Sequence, residues 1–288
     1  MTTPPHPPTI VAPHGWHVVI PVKDTRHGKS RLARPAGPDR AVLSRAIADD
    51  TIAAAVGAVG AGRVLLVTAD AGLAEAWAPR GVRVVADPDT GLNGAIAHGL
   101  TVLPTGAWAA ALLGDLPCLT PPDLCAALDA AALHADSFVP DADGTGTVLR
   151  CGRSFRPRFG PGSASSHEAG GATRLDLDLP RLRTDVDDAT SLARARVLGL
   201  GPATSAVIER LGSGWIHSMQ ATVHTFDPAD RSGSVLLDDG LELPFTQDAF
   251  DPSGLRLLRI GQRLTVDVVD HHVVAMRIVG IGPGQPIR

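Results

Sequence analysis

The sequence is poor in cysteine and aromatic residues, has no tyrosine and contains no long apolar run. Its three cysteines form no Cys-x-x-Cys pair, which excludes a disulfide framework and a zinc knuckle and fits a reducing compartment. No stretch approaches the ~20 apolar residues that span a bilayer. Lysine and arginine total 26 against 30 acidic residues, which argues against a broadly basic surface but not against a local basic pocket.

Apolar residues, in contrast, are abundant. They make up 44% of the 288 residues, and charged residues make up 19%, which excludes a chain that is disordered throughout. At roughly 100–200 residues per domain, this length predicts one large domain or two. Residues 1–14 are rich in proline and lack the basic segment of a signal peptide, so we expect a disordered tail and a cytoplasmic protein.

The first two thirds of the chain alternate short apolar runs with longer alanine- and leucine-rich segments. The runs at 17–22, 64–67, 82–85 and 109–113 are typical of buried strands. Helices are predicted over 39–59 and 93–103, and after Pro121-Pro122. This alternation predicts an α/β domain over residues 15–212, with a mostly parallel sheet and helices on both faces.

The pattern changes near residue 213. Beyond it, apolar runs alternate with turns, and Asp238-Asp239-Gly240 between two runs is typical of a hairpin. A second hairpin is predicted around Asp270-His271-His272. Five or so strands in this stretch predict a small all-β barrel over residues 213–288.

A basic loop follows the first strand. Four cations lie within nine residues, together with a glycine and a serine, and such a loop suits a polyphosphate; they are Lys23, Arg26, Lys29 and Arg31. The alternative is a solvated charged loop. The Gly-Lys-Ser fragment is not a P-loop, because that motif needs a glycine where Lys23 stands.

An aspartate stands where the fourth predicted strand ends. Asp115, in Gly114-Asp115-Leu116, is well placed to hold Mg²⁺, which binds through one or two carboxylates plus substrate phosphates. The alternative is an aspartate that forms an Asx turn or caps a helix.

A second acidic group lies in Thr184-Asp185-Val186-Asp187-Asp188. If residues 182–186 are extended, Asp185 and Asp187 point to the same side, because side chains alternate along a strand. Two carboxylates on one side suit a divalent metal. The alternative is that Asp187 or Asp188 caps a helix over 189–198, although one residue can cap while its neighbour binds an ion.

Two turns rich in glycine, serine and threonine lie between these acids, at 141–147 and 159–167. Small residues expose backbone N–H groups, which suit a phosphate or carboxylate, especially at a helix N-terminus. The alternative is that they are ordinary loops. His167 is a candidate general acid, or else a surface or supporting residue. Taken together, the basic loop, the acids and the turns indicate metal-assisted nucleotidyl transfer.

Six segments occur in order and carry a resemblance: IPVKDTRHGKSRLA, TGLNGAI (90–96), GDLPCLTPPDL (114–124), DGTGTVL (143–149), FGPGSASSH (159–167) and TDVDDATSL (184–192). Through them, residues 16–210 closely resemble the phosphoenolpyruvate/2-phospholactate guanylyltransferases of coenzyme F420 biosynthesis. One departure is Arg26-His27-Gly28 before Lys29, where Gly28 supplies the small residue that the family pattern expects.

The resemblance implies a GT-A-like (Rossmann-like) nucleotidyltransferase fold. It also implies a reaction that joins GTP to phosphoenolpyruvate or 2-phospho-L-lactate and releases pyrophosphate. The two acids carry the same anionic groups, so both stay open as acceptors. A related enzyme such as a molybdopterin guanylyltransferase is the alternative within this class.

The resemblance also implies roles for individual residues. Mg²⁺ is expected on Asp115, Asp185 and Asp187, and the catalytic residues are expected to be Lys29 and Asp115. The phosphoenolpyruvate contacts are expected to be Thr145, Gly160 and Ser163. The nucleotide is expected to meet Lys23, Lys29, Arg31 and Asn93. The implied partners are small molecules, with hand-over of product to the next enzyme and no membrane.

The C-terminal segment resembles a cold-shock-type OB barrel, a fold that binds single strands through aromatic platforms and basic grooves. Ser232-Gly233-Ser234 stands where Phe-Gly-Phe is usual, and Thr225 where tryptophan is expected, which leaves Phe226 and Phe245. From Trp215 onward there are six arginines and nine acids, a charge of −3. We expect a lid, a dimerisation element or a protein-contact module. A nucleic-acid-binding regulator is the alternative.

Overall fold

The computed structural model describes residues 15–25, 38–211, 217–238, 240–269 and 272–278. The tail over 1–14, Lys29, Arg31 and the boundary at 213 lie outside these residues. Internal contacts divide the chain into two compact units. One contains residues 15–25 and 44–185, and the other contains 38–43 and the residues from 186 onward.

The first unit is built on a seven-stranded sheet in the order β3-β2-β1-β4-β6-β5-β7. Its strands are β1 (His17–Val22), β2 (Val64–Thr68), β3 (Arg83–Ala86), β4 (Ala109–Leu112), β5 (Asp136–Pro140), β6 (Thr147–Gly152) and β7 (Thr173–Arg174). β6 pairs antiparallel with both of its neighbours, and the other pairs in the sheet are parallel. The prediction of a mostly parallel sheet is confirmed.

The helices of the chain before the barrel are α1 (Pro38–Val59), α2 (Ala71–Trp77), α3 (Gly91–Thr101), α4 (Pro121–Ala131), α5 (Ser163–Ala169), α6 (Pro180–Arg183), α7 (Ala189–Leu198) and α8 (Pro202–Leu211). Thr120 caps α4 by accepting the Asp123 N–H, and Pro121 and Pro122 open its first turn as predicted. In the part of the chain that the structure describes, none of the helices is long and apolar enough to cross a membrane.

Both faces of the sheet are covered. Val18 and Ile20 of β1 join one buried cluster with residues of α1, α2 and α4. Val19, between them, joins a second cluster with Ala95 of α3. A strand buried on both faces lacks the apolar–polar alternation of an exposed strand, which explains why residues 18–22 of β1 are all apolar.

The second unit contains α7, α8 and a closed barrel in the order β10-β12-β11-β8-β9. The strands are β8 (His217–Asp227), β9 (Ser232–Leu237), β10 (Glu242–Phe245), β11 (Arg263–Val269) and β12 (His272–Ile278), with the one-turn helix α9 (Gln247–Phe250) after β10. Both predicted hairpins are present as antiparallel pairs, although Asp239, Asp270 and His271 of their turns lie outside the described residues. The five-stranded barrel is confirmed.

Two local predictions need correction. Leu182 and Arg183 belong to α6, so residues 182–186 do not form one extended run. Ser163 to His167 of the predicted glycine-rich turn form most of α5. Residues 180–183 form a helix because Pro180 suits the first helical position and Leu182 packs into the core.

We expect Gly99→Ala to destabilise the sheet unit, although alanine is the better helix former by about 1 kcal/mol. A Cβ on Gly99 would lie 2.5 Å from Val19 Cγ1 and 2.9 Å from Val67 Cγ2. Because overpacking a core costs about 1–3 kcal/mol, it offsets the helix-propensity gain. Gly62→Ala, where a Cβ meets nothing within 4 Å, is the control and should change stability by less than about 0.5 kcal/mol.

The measurement is urea denaturation followed by tryptophan fluorescence, which reports chiefly on the sheet unit because Trp16, Trp77 and Trp108 lie in it. An unchanged or higher midpoint for Gly99→Ala would contradict this packing.

Candidate active site

The sheet has a topological switch point between β1 and β4. From β1 the chain adds β2 and β3 on one side and then returns to place β4 on the other. Ligands of open α/β sheets bind outside the carboxyl ends of the strands at such a point. The loop that begins at Lys23 and the loop that carries Asp115 both start there.

The Asp115 loop lies tightly against the end of β1. A Cβ on Gly114 would come within 2.7 Å of Val22 Cγ2 and 3.1 Å of the Pro21 carbonyl oxygen, so glycine is required at this approach. On the other side, the Leu116 N–H donates to the buried Thr51 hydroxyl (3.0 Å), which itself donates to the Ile47 carbonyl oxygen. The loop is therefore held between β1 and α1.

Three carboxylates meet beside this loop. One oxygen from each of Asp115, Asp185 and Asp187 lies within 4.8 Å of the others. Asp115 and Asp185 are half-buried and Asp187 is exposed. The structure thus brings together the three acids that the sequence analysis selected for a metal.

Alternating burial explains how Asp185 and Asp187 emerge together. Thr184 and Val186 are buried, whereas Asp185 and Asp187 are less so, which is the pattern of a short extended stretch. The predicted alternation therefore applies after α6, even though the stretch begins later than expected.

The neighbouring aspartate caps a helix. Asp188 accepts the Ser191 N–H at 2.8 Å and forms a capping box at the start of α7. The Ser191 hydroxyl accepts the N–H groups of Asp187 and Asp188, each at 3.0 Å. As anticipated, one residue caps the helix while its neighbour stays with the carboxylate group.

The loop after β1 is anchored at its start. Thr25 donates to the Asp70 carboxylate through its backbone N–H (3.3 Å) and through its hydroxyl. Asp70 caps α2 by accepting the Leu73 N–H at 3.1 Å. Burial raises the pKa of Asp70, but the hydrogen bonds from Thr25 and Leu73 outweigh burial and lower it. Lys23 is exposed two residues earlier.

The turn that contains Thr145 is organised by one aspartate. Asp141 accepts the N–H groups of Thr145 (2.9 Å) and Gly146 (2.8 Å) through its two carboxylate oxygens. The Arg183 guanidinium donates to the Asp141 carbonyl oxygen at 2.9 Å. Gly144 has a φ of 76°, which favours glycine.

The second turn lies against the first. The Ala164 N–H donates to the Thr145 carbonyl oxygen at 3.1 Å, and the Ser163 N–H donates to the Gly160 carbonyl oxygen at 3.0 Å. Gly160 and Gly162 have φ values of 133° and 68°. The structure therefore brings Thr145 and Gly160 close to Ser163, the first residue of α5, and their shared role in holding the acceptor stays a prediction.

His167 is buried behind these turns, so its interpretation as a surface residue is wrong. Its Nε2 accepts the Arg158 N–H (3.2 Å), which leaves the proton on Nδ1, 3.0 Å from the Thr147 hydroxyl. Burial, and then the charges of Arg150 and Arg158, lower the pKa of His167 to about 4. A neutral ring used in this way is a structural group rather than a general acid at pH 7.

Asn93 contacts the backbone of the second turn. Its amide nitrogen donates to the Phe159 carbonyl oxygen (2.9 Å), and its amide oxygen accepts the Phe159 N–H (2.7 Å). Both polar atoms of the side chain are therefore engaged with Phe159. The expected place of Asn93 near the nucleotide stays a prediction.

Several residues around the site were not singled out from the sequence. They are the supports Thr51, Asp70, Asp141 and Arg183. The role of Asp141 could have been predicted from the sequence Asp141-Ala142-Asp143-Gly144, because an aspartate commonly hydrogen-bonds to the backbone of its own turn. The other supports act across long sequence separations and leave no local pattern.

The three phenylalanines of the described barrel pack together in or against its core. Phe245 and Phe250 are buried, and Phe226 packs on both of them, with ring centroids at 6.3 Å and 5.1 Å. Arg231 and Arg263 form ion pairs with Asp251 and Asp238. Among the described residues of the barrel, these three rings pack on one another and these two arginines are paired with acids.

Comparisons with known proteins show the family. A family model described as the MobA-like NTP transferase domain matches residues 41–184. A relative from Thermomonospora curvata named phosphoenolpyruvate guanylyltransferase is 45% identical over 68% of this chain and 90% of its own length. One of the same name from Salinispora arenicola is 47% identical over 66% of this chain and 92% of its own length. The chain belongs to the phosphoenolpyruvate guanylyltransferase family.

A solved structure supports the fold assignment. The crystal structure described as that of a nucleotide-diphospho-sugar transferase from Desulfovibrio desulfuricans G20 has a TM-score of 0.51 at 16% identity, covering 68% of this chain and 98% of that chain. Together with the family match, this likeness confirms the GT-A-like nucleotidyltransferase fold.

We expect Asp70→Ala to lower the free energy of unfolding by about 1–3 kcal/mol at pH 7, because hydrogen bonds to a charged carboxylate are lost. Since the folded pKa of Asp70 is lowered, its contribution is present above the unfolded value of about 3.9 and is lost as pH falls below it. The difference from wild type should therefore shrink in acid.

Urea denaturation at several pH values measures this difference. Glu75→Ala, an exposed acid on the same helix, is the control and should leave stability unchanged at each pH. A difference for Asp70→Ala that grows as the pH falls would contradict the role of Asp70.

Proposed function

We propose that this protein transfers the guanylyl group of GTP to phosphoenolpyruvate or 2-phospho-L-lactate and releases pyrophosphate, as a step of coenzyme F420 biosynthesis in the cytoplasm. The observation that carries the proposal is the meeting of Asp115, Asp185 and Asp187 beside the switch point of the sheet. The names of the relatives supply the substrate class.

The three carboxylates fit a divalent cation, and Mg²⁺ is the one we propose. They offer only oxygen, the ligand that Mg²⁺ prefers, and one oxygen of each lies within 4.8 Å of the others. A bound Mg²⁺ supplies positive charge that offsets the negative charge of the triphosphate and of the departing pyrophosphate. Without a counter-charge, this acidic group would repel the substrate.

The chemistry requires no general base. In the reaction, a phosphate oxygen of the acceptor forms a bond to the α-phosphorus of GTP, and the bond between that phosphorus and the oxygen bridging to the β-phosphorus breaks. The attacking oxygen is already anionic at pH 7. The difficulty is to hold two strongly negative groups in line, which is a matter of position and charge.

Cations of the loop after β1 are proposed to face the GTP phosphates: Lys23, Lys29 and Arg31, with Lys29 catalytic. Lys23 and Lys29 are the only lysines in the sequence, and every other cation besides histidine is arginine. The ammonium group of lysine is a compact charge that commonly binds phosphate, whereas the guanidinium group of arginine is planar. The confinement of lysine to this loop supports a requirement for ammonium groups there.

Thr145, Gly160 and Ser163 are proposed to hold the acceptor. The backbone segments that carry the Thr145 and Ser163 hydroxyls adjoin each other, and the residues between them are small, which suits a small phosphorylated acid better than a pterin. The unstable product is proposed to pass to the next enzyme of the pathway.

The test of the proposed function is pyrophosphate release from GTP and Mg²⁺ with each acid offered separately. We expect release that depends on an acceptor, with the rate ratio identifying the preferred acid. Absence of release with both acids would sink the proposal, and release with a molybdopterin acceptor instead would favour the alternative enzyme.

Asp115→Asn should lower the rate by about 100- to 1,000-fold, because it removes a charged ligand without changing the side-chain shape. Asp129→Asn, an exposed aspartate on α4, is the matched control and should retain normal activity. Activity of Asp115→Asn near that of the control, at several Mg²⁺ concentrations, would refute the role of the carboxylate group.

The two lysines permit a labelling experiment with few targets. An amine-selective acylating reagent can modify Lys23, Lys29 and the chain's α-amino group, and peptide mass spectrometry distinguishes them. We expect GTP with Mg²⁺ to protect the lysines and the α-amino group to serve as the unprotected reference. Equal labelling with and without GTP would contradict the placement of these lysines at the phosphates.

A further inference from the structure

Two polar side chains that no proposed chemical step uses, the half-buried Asn93 and the buried His167, converge on one short backbone segment. Asn93 reaches it from α3 and His167 from α5. The segment is Arg158–Gly160, which leads into α5. Both side chains hydrogen-bond to its main chain, so they fix the path of the backbone.

The Asn93 contact is double. The side-chain amide of Asn93 accepts the Phe159 N–H at 2.7 Å and donates to the Phe159 carbonyl oxygen at 2.9 Å. Two residues paired across neighbouring β-strands exchange hydrogen bonds in the same way. The Phe159 ring is buried and packs with Ile96 of α3 and Ala111 of β4. The residue before Gly160 is thereby fixed to the strand that leads to Asp115.

The His167 contact joins the two turns. One ring nitrogen accepts the Arg158 N–H, and the other donates to Thr147, which ends the turn that contains Thr145. The Phe159 ring meets the imidazole edge-on, with centroids 5.4 Å apart. A single neutral imidazole thus fixes the distance between the Gly160 turn and the Thr145 turn.

We propose that Asn93 and His167 are positioning residues for the acceptor, which hold the Gly160–Ser163 turn and the Thr145 turn so that both present donors to the same phosphorylated acid. This proposal rests on the proposed function. Neither residue touches the reacting atoms. Their effect reaches the acceptor through Phe159 and Thr147.

The kinetic test separates this role from general stability. Asn93→Ala should raise KM for the acid by about 10-fold, within the 10–100-fold range of residues that support a site indirectly, and should raise KM for GTP by much less. His167→Asn retains a donor near Nδ1, and His167→Gln retains an acceptor near Nε2, so each keeps one of the two bonds. Each should raise KM for the acid less than His167→Ala does.

Glu168→Ala is the matched control, since Glu168 is the exposed neighbour of His167 on α5. It should leave both KM values unchanged. Equal effects on KM for GTP and for the acid, or a loss that follows the unfolding midpoint alone, would overturn the positioning role.

Amide hydrogen exchange supplies a readout that needs no activity. In the wild type the Arg158 and Phe159 N–H groups donate to His167 and Asn93. We expect Asn93→Ala to speed exchange at Phe159 and His167→Asn to speed exchange at Arg158, with Glu168→Ala unchanged. Unaltered exchange in both variants would overturn the proposal.

The two readouts distinguish the failures. A wild-type protein that releases no pyrophosphate with either acid refutes the proposed function and, with it, the acceptor assignment. Faster exchange in the variants of an active enzyme whose KM for the acid does not change refutes the positioning role alone.

Discussion

The close approach of Gly114 to the end of β1 is the constraint on which the rest of the site depends. A Cβ at this position would collide with Val22 and the Pro21 carbonyl oxygen, so the chain can place Asp115 beside the β1 loop only with glycine before it. The parallel pairing of β1 with β4 sets that approach, and Thr51 holds the far side of the loop. Asp115 and the loop that begins at Lys23 therefore start from the same edge of the sheet.

Around this edge, the loops are shaped by side chains that hydrogen-bond to the backbone. Asp70, Asp141 and Asn93 each bond two or more main-chain groups, and each fixes a different loop. Such bonds satisfy backbone groups that have no partner in the sheet. The residues of the two turns can therefore be small. The small residues leave room for a ligand beside the turns.

The strands and helices were largely predictable, and so were the three acids. β1 and α1 follow from apolar runs and helical spacing, and Asp115 from its place after a strand. The error at Leu182 arose because a one-turn helix opened by Pro180 interrupts an otherwise extended pattern. β5 and β6 went unpredicted, and β6 pairs antiparallel with both neighbours, which no local pattern announces. The roles of Asn93 and His167 depend on contacts with Phe159 and Thr147 that only the folded chain creates.

The most direct test of the account is the fate of the phosphorus atoms of GTP. The protein is incubated with Mg²⁺, the acceptor acid and GTP that carries radioactive phosphorus at either the α- or the γ-position. Guanylyl transfer predicts that the α-label appears in the acid adduct and the γ-label in pyrophosphate. Appearance of the γ-label in the acid or in inorganic phosphate, with the α-label retained in GDP, would contradict it.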